Sequence, residues 1–503
     1  MTNSLKKLVR QTAIYGTSSI IGKLLNYFLV PFHTRIFSTE QYGIVSEYYA
    51  YIPVILVLLT CGLETGFFRF SKDKENFDTT YSSIFTTVFT FSFIFLIIIF
   101  LTIGPLSNLL GYSKHHEYTL LVAFIIFLDA VISIPFAKLR IQNKASKFAI
   151  YKILNICFNI GFNIIFFALC PYLLEKNITF VSNFYKPEIG IGYIFISNLL
   201  GNIITFLMLI PEIIKVKYNF DIQIMKKILK YSLPLLIVGL AGMINETMDR
   251  IFIKNILSTS YNIKFAQEQV GIYSANYKLA ILMTMFIQMF RYAAEPFFFE
   301  NTNEKDSKKL YAQVTKYFII FGLGIFLFVL LYIDIFKYFV GVDFRKGLNI
   351  VPILLLANLF LGIFFNLSMW YKLNDMTKYG AIITLIGAVI TIILNILLIP
   401  KIGYMGSAWT TLICYLTMTI ISYTLGQKYY KIPYNLKNAG FYFIISGVIF
   451  VLSYYLVSLI NNFYLRNSIN TILLLIYILI FIKKEKAIPQ ITSLKNSILK
   501  KLR

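Results

Sequence analysis

Charged residues are scarce in this chain. Only 14% of its 503 residues are Asp, Glu, Lys or Arg, whereas 58% are hydrophobic. A soluble protein of this length would need far more polar residues to cover its surface. Apolar runs of about 20 residues recur along the chain, and each is long enough to cross a bilayer as a helix. The composition therefore excludes a soluble globular fold and predicts an all-α integral membrane protein.

Cysteine and histidine are also few, at four and three residues. The cysteines lie in or at the ends of apolar runs without paired spacing, and the histidines lie in short loops, so neither a disulfide framework nor a metal site is expected. No glycine-rich phosphate loop with its lysine occurs. No loop is long enough for a folded catalytic domain. We therefore expect neither an enzyme nor a resident cofactor. The net charge of +24 is spread over alternate short loops, which disfavours a nucleic-acid site.

Hydropathy predicts about fourteen transmembrane helices. They lie near residues 12–32, 42–63, 81–103, 117–137, 148–170, 190–211, 231–253, 271–297, 311–333, 348–371, 379–399, 404–425, 438–460 and 467–482. Lysine and arginine are enriched in every second connection, as the positive-inside rule requires if both termini are cytoplasmic. Bends are expected at Pro53, Pro135 and Pro234, where proline enters a predicted helix.

One segment of the chain occurs twice, near residues 6–49 and 226–277. The polar residues that flank its apolar run recur in the same order. For example, Glu40-Gln41-Tyr42-Gly43 is matched by Glu268-Gln269-Val270-Gly271. The offset is 220 residues before an eight-residue insertion and 228 after it. Duplicated membrane bundles are typical of transporters, in which two related halves rock around a site. We predict pseudo-symmetric six-helix lobes at 1–225 and 226–430, followed by two extra helices and a basic cytoplasmic tail at 431–503.

Charged side chains inside the predicted helices are the strongest candidates for function, because each costs about 2.5–3.5 kcal/mol at the centre of a bilayer. The candidate substrate-binding cations are Lys23, Arg250, Lys278 and Arg291. Lys23 has no acid within four residues, and Ser19 and Asn26 share its helix face. The candidates for ion coupling or for ion pairs are Glu64, Arg69, Glu246, Asp249 and Glu295. Glu246 and Arg250 are four residues apart, as are Arg291 and Glu295, so helical pairing would account for both couples.

Asparagines form two polar stripes on neighbouring predicted helices. They are Asn155, Asn159 and Asn163 on one helix, and Asn198 and Asn202 on the next. Such stripes either line a cavity or hold helices together by hydrogen bonds. Both interpretations stay open at this point.

Several segments resemble bacterial polysaccharide and O-antigen flippases of the superfamily that also holds multidrug-and-toxin extruders and the lipid II flippase. The resemblance is carried by the opening LVRQTAIYGTSSIIGKLLNYFLVPFHTRIFSTEQYGIVSEYY, then GLETGFFRF (62–70), MDRIFI (248–253), EQVGIYSANYKLA (268–280) and IPKIGYMGSAWTTL (399–412). It covers the whole chain. It implies a V-shaped pair of lobes around a cationic cavity in the bacterial cytoplasmic membrane.

The implied substrate is a polyprenyl-pyrophosphate-linked oligosaccharide, moved from the cytoplasmic to the outer leaflet for surface polysaccharide synthesis. The implied partners are this lipid, the membrane and other polysaccharide assembly proteins. Energy would come from an H⁺ or Na⁺ gradient or from the membrane potential. Two alternatives are a cation-coupled multidrug extruder of the same superfamily and, in a different class, a polytopic glycan polymerase or ligase.

Overall fold

The computed structural model describes residues 20–71, 76–214, 216, 218–300 and 307–485. These residues form helices and loops, with no β-strand among them. Twelve helices are long and apolar enough to cross a membrane, and a bent pair makes a thirteenth span. They correspond one to one with the predicted helices from 42–63 onward. The predicted helix at 12–32 begins outside the described residues. The expected all-α, multi-pass membrane fold is confirmed.

The first part of the chain is a series of long helices joined by short loops. Its helices are α1 (20–27), α2 (Leu29–Ile36), α3 (Thr39–Thr60), α4 (Leu63–Phe70), α5 (Phe77–Leu110), α6 (His116–Ile141), α7 (Ala145–Ile164), α8 (Cys170–Glu175), α9 (Gly192–Ile214), α10 (Ile222–Thr247) and α11 (Asp249–Ser260). A π-helical turn at Ile165–Leu169 joins α7 to α8.

The second part of the chain continues the pattern. Its helices are α12 (Ile263–Leu279), α13 (Ile281–Glu300), α14 (Ser307–Leu331), α15 (Ile333–Phe336), α16 (Val351–Leu367), α17 (Met369–Leu373), α18 (Thr377–Ile402), α19 (Tyr404–Tyr429), α20 (Leu436–Ser458) and α21 (Phe463–Lys484). The pair α12 and α13 is bent by 49°, and it corresponds to the single helix that the sequence predicts over 271–297.

Helix starts and breaks follow local chemistry. Ser38 begins α3 with a capping box, in which its hydroxyl accepts from Gln41 N and its own N–H donates to Gln41 Oε1. Cys61 and Gly62 both adopt left-handed backbone angles, with φ of 49° and 68°, and this break separates α3 from α4. Pro53, Pro135 and Pro234 lie inside unbroken helices, so the helix breaks do not occur at these prolines.

The contacts group the chain into two compact units. Unit 1 comprises residues 1–275 and 384–410, and unit 2 comprises residues 276–383 and 411–503. In unit 1, α6 packs against α3, α5, α7 and α9. The buried side chains of Phe67, Tyr81 and Phe195 belong to its core. The division into lobes at residues 225 and 226 stays a prediction.

Unit 2 is organised around α14, which packs against α16, α20 and α21. Hydrogen bonds hold α21 to α14 along its length. Asn470 donates to the carbonyl of Leu331 at 2.6 Å, and Tyr477 donates to the carbonyl of Ile320 at 2.7 Å. At the end of α21, Glu485 accepts from Lys316 at 2.5 Å. The last helix is therefore bound to α14 by polar contacts as well as by apolar packing.

We predict that Glu485→Gln weakens this attachment. Burial opposes the charged form of Glu485, but the bonds from Lys316, Asn438 and Tyr442 prevail and hold the pKa of Glu485 below its usual value. A group with a depressed pKa stabilises the fold at neutral pH, and this contribution is lost as the pH falls through the folded-state pKa. The free energy of unfolding in detergent should drop by about 1.5–3 kcal/mol at pH 7.

The difference between Glu485→Gln and the wild type should shrink as the medium becomes acidic. Glu188→Gln, which changes an exposed acid in a loop, serves as the matched control and should leave stability unchanged. A constant difference between Glu485→Gln and wild type at every pH would contradict this account.

Candidate functional site

The helical segment that carries Lys23 packs against α7. A Cβ added at Gly22 would lie 2.5 Å from Ile156 Cδ1, so glycine permits this close approach. Lys23 and Asn26 are both exposed on the same segment. Ser19, the third member of the predicted polar face, lies outside the described residues. Lys23 and Asn26 are therefore exposed on the same helical segment, and their role in lining a cavity stays a prediction.

Arg250 and Asp249 both contact Tyr273. Asp249 is 1% exposed, and the Tyr273 hydroxyl donates to its Oδ2 at 2.6 Å. The Arg250 guanidinium lies 5.8 Å from the centre of the Tyr273 ring. Glu246 is exposed near the end of α10. Because the chain passes from α10 to α11 at Met248, Glu246 and Arg250 do not share one continuous helix.

Lys278 and Arg291 belong to unit 2. Lys278 is half-buried in the last turn of α12. The Arg291 guanidinium lies 4.1 Å from the ring centre of Phe365. The side chain of Glu295 is outside the described part of the structure, so its pairing with Arg291 stays a prediction.

Glu64 and Arg69 on α4 contact other helices. Glu64 forms a salt bridge with Arg140 of α6. The Arg69 guanidinium lies 4.3 Å from the ring centre of Tyr231 on α10. These contacts explain how two charges can lie beside the apolar end of α3. The partner of Glu64 is distant in sequence and was not predicted.

The predicted asparagine stripes form hydrogen bonds. Asn155 donates to Asn202 Oδ1 at 3.0 Å and to Thr205 Oγ1 at 2.8 Å, which links α7 to α9. Asn163 donates to Asn159 Oδ1 at 3.0 Å, and its own Oδ1 lies 2.8 Å from His33 Nε2.

Asn198 belongs to the second stripe and contacts α3. Its amide donates to the Tyr49 hydroxyl at 3.3 Å. Hydrogen bonds between helices are thus one role for these side chains. Whether they also line a cavity stays a prediction.

Asp129 is a membrane-embedded acid that the sequence analysis missed. It lies in the middle of α6, and its Oδ1 accepts from Asn202 at 3.0 Å. Lys152 of α7 is close enough to interact electrostatically with Asp129. The signal was available, because an acid at the centre of the predicted helix 117–137 is costly and calls for a partner.

A second missed feature is a buried ion pair between Glu47 of α3 and Lys254 of α11. Their charged atoms are 3.4 Å apart, and their side chains are 1% and 3% exposed, respectively. Lys254 also donates to the carbonyl of Leu110 at 2.7 Å. The hydroxyls of Tyr51 and Tyr112 donate to Glu47. Buried charges need such additional partners to offset their loss of hydration.

Tyr112 is suited to its role as a donor in this cluster. It lies in the loop between α5 and α6, outside the candidate spans. Burial and the Glu47 carboxylate raise the pKa of Tyr112 well above its ordinary value. The phenol therefore stays protonated and donates to the carboxylate of Glu47.

The two copies of the duplicated segment touch each other beside this ion pair. A Cβ added at Gly43 would overlap the carbonyl oxygen of Gln267 and lie 3.0 Å from Gly271 N. A Cβ added at Gly271 would overlap the carbonyl oxygen of Thr39 and lie 3.1 Å from Gly43 N. Gly43 and Gly271 are equivalent in the repeat, so α3 and α12 cross in a locally symmetric contact. We call this contact, together with Glu47 and Lys254, the outer junction, because the charge pattern predicts that it lies near the outer surface.

Comparison with known proteins identifies the family. The model of a family described as "Polysaccharide biosynthesis protein" matches residues 8–302, which is more than half of the chain. The chain belongs to this family. It is also 23% identical over 441 residues to protein 1 of the Lsg locus of Haemophilus influenzae strain Rd, covering 83% of this chain and all of that protein.

Two solved structures are similar to this chain in fold. Lipid II flippase MurJ in an inward closed conformation gives a TM-score of 0.66 at 20% identity, covering 94% of this chain and 99% of that chain. An inward-facing multidrug resistance MATE family transporter of the MOP superfamily gives 0.65 at 14% identity, covering 84% and 97%. The expected MATE- and MOP-like fold is therefore confirmed.

We predict that Gly43→Ala destabilises the protein, because the new methyl group must displace the backbone of α12. Overpacking of this kind costs about 1–3 kcal/mol. The matched control is Gly104→Ala, which also changes a glycine inside a helix but has no atom within 4 Å of the added Cβ. Alanine there should be neutral or stabilise the helix by up to about 1 kcal/mol. Thermal unfolding in detergent measures both variants, and equal stability of the two would contradict the close contact.

Proposed function

We propose that this protein is a flippase that moves a polyprenyl-pyrophosphate-linked oligosaccharide from the cytoplasmic to the outer leaflet of the bacterial cytoplasmic membrane. The match to the polysaccharide biosynthesis family over residues 8–302 carries this proposal. The likeness to a solved lipid II flippase, over 94% of this chain, supports it at the level of fold. The protein is then a transporter and not an enzyme, with both termini in the cytoplasm.

The pyrophosphate is the part of this substrate that is hardest to move, because its charge must cross a region of low dielectric constant. Lys23, Arg250, Lys278 and Arg291 are the proposed counter-charges. Arginine can bind phosphate through paired hydrogen bonds, whereas lysine acts as a point charge. The uncharged asparagines of α7 and α9 are proposed as hydrogen-bonding groups for sugars.

Transport of this kind requires access to alternate between the two sides of the membrane. The outer junction is proposed to hold the outer side closed in the present conformation. It joins α3 to α11 through Glu47 and Lys254, and α3 to α12 through Gly43 and Gly271. Separation of these helices would expose the ion pair to water, where the lost attraction is partly replaced by hydration. The energy for the cycle is proposed to come from an ion gradient or from the membrane potential.

The test of the function is a lipid extract from a host that lacks the gene. The polyprenyl-linked species are analysed by mass spectrometry alongside the surface glycan. A complete polyprenyl-pyrophosphate oligosaccharide should accumulate on the cytoplasmic side while the surface glycan disappears. If no such lipid accumulates and the cells become sensitive to cationic dyes, the protein is a multidrug extruder instead.

We predict that Lys23→Ala and Lys278→Ala each reduce export of the surface glycan by about tenfold, the equivalent of one charge-assisted contact. Protein abundance should stay near that of the wild type. Lys114→Ala is the matched control, because Lys114 is exposed in a loop, and it should export normally. Normal export by both Lys23→Ala and Lys278→Ala would remove these lysines from the site.

A second prediction concerns the outer junction. A cysteine introduced at Ala50, which is buried one turn from Glu47, reports on opening through its labelling by a membrane-impermeant maleimide. The background lacks the four native cysteines. Glu47→Gln, and the double variant Glu47→Gln with Lys254→Met, should both increase labelling from outside. The double variant leaves no unpaired buried charge. Increased labelling in this variant therefore reports on opening of the junction and not on unfolding caused by an unpaired lysine.

The control for this experiment is a neighbouring ion pair that joins α3 to α12. Lys264 and Glu40 are 3.5 Å apart, but their side chains are 66% and 31% exposed. Exposed pairs contribute about 0–1 kcal/mol, so Glu40→Gln should leave labelling unchanged. Unchanged labelling in both junction variants would show that Glu47 and Lys254 do not hold this side closed.

A further inference from the structure

Asp129 occupies a position that apolar packing does not explain. It lies near the centre of the span His116–Ile141 and is half-buried. A carboxylate at such a depth is costly unless it is paired, and its side chain is short, so it cannot reach the membrane surface. The outer junction does not involve Asp129.

The groups that interact with Asp129 come from neighbouring helices. Lys152 of α7 interacts electrostatically with it, and Arg140 acts in turn on Lys152. Tyr49 of α3 lies close enough to Asp129 for an electrostatic interaction, and its hydroxyl accepts from Asn198. From α9, the uncharged amide of Asn202 donates to Asp129 Oδ1. The carboxyl group thus faces three different helices.

The same arrangement favours a proton over a metal cation as the ligand of Asp129. A sodium ion needs several oxygen atoms with free lone pairs directed towards it. Here Asn202 Oδ1 and Thr205 Oγ1 already accept from the Asn155 amide. The positive charge of Lys152 further opposes a second cation beside the carboxylate. A proton requires only one carboxyl oxygen and no rearrangement of these amides.

We propose that Asp129 is a proton-binding site whose protonation and deprotonation accompany the transport cycle. The coupling to transport rests on the proposed function, whereas proton binding does not. When Asp129 is ionised, its charge is balanced by Lys152. When it is protonated, Lys152 loses this counter-charge. The electrostatic attraction between α6 and α7 then weakens, which changes how favourably α6 packs against α7 and α9. The carboxyl group is therefore a two-state element within unit 1 that a proton can switch.

Infrared difference spectroscopy on the purified full-length protein in lipid nanodiscs tests proton binding directly. Spectra recorded at low and high pH should contain a carboxylic acid C=O band that is absent from Asp129→Asn. Glu212→Gln should keep this band, because Glu212 is an acid of the same unit that is already held by Lys144 and Lys147. Replacing choline chloride by sodium chloride should leave the band unchanged.

The result that overturns the proposal is a pH difference spectrum that is the same for wild type and Asp129→Asn. Asp129 would then be a permanently ionised partner of Lys152. A band that changes when sodium replaces choline would also overturn the proposal, because Asp129 would then bind a metal cation. If Asp129→Asn does not fold, the double variant Asp129→Asn with Lys152→Met is compared with the wild type instead. This double variant removes both charges, so no unpaired lysine remains.

Surface glycan export separates this proposal from the proposed function. Asp129→Asn should lose export, whereas Asp129→Glu, which keeps the titratable group, should retain a measurable part of it. If the band is present but the lipid extract shows no accumulated oligosaccharide, the proton site stands and the proposed substrate is wrong. If the band is present and Asp129→Asn exports normally, the coupling of Asp129 to transport is refuted.

Discussion

Every polar group of this protein that lies within the hydrocarbon region has to find a partner inside the protein, because lipid supplies none. This constraint accounts for the contacts that join its helices. Glu47 is surrounded by Lys254 and two tyrosine hydroxyls. The amides of Asn155 and Asn202 link α7, α9 and α6 in a chain. In unit 2, the carbonyls of Leu331 and Ile320 receive hydrogen bonds from α21.

The outer junction combines a symmetric contact with an asymmetric one. Gly43 and Gly271 are equivalent in the duplicated segment, and each is in contact with the backbone around the other. The ion pair beside them has no such counterpart. By the same alignment Glu47 corresponds to Ala275 and Lys254 to Thr34, and both of these residues are buried. The predicted duplication would account for the crossing of the helices, whereas the ion pair takes one charge from each predicted copy.

Two pairs of oppositely charged residues in unit 1 differ in their surroundings. Glu47 and Lys254 are almost completely buried and have several hydrogen-bonding partners, so they favour one arrangement of helices. Asp129 and Lys152 are half-buried, and Lys152 also lies 4.4 Å from the ring centre of Phe136. Closure is proposed for the first pair because of this burial, and proton binding is proposed for the second because Asp129 lies near the centre of a span.

The sequence by itself determined the membrane class and the positions of the helices, and it predicts the duplication. These follow from properties that are local in the chain, namely runs of apolar residues and the order of polar residues between them. Thirteen of the predicted helices correspond to spans of the structure. Only the tertiary structure decided which charges meet. Glu47 and Lys254 are 207 residues apart, and Asp129 and Asn202 are 73 apart. Hydropathy locates each helix and its polar face, but it does not specify which distant helix that face contacts.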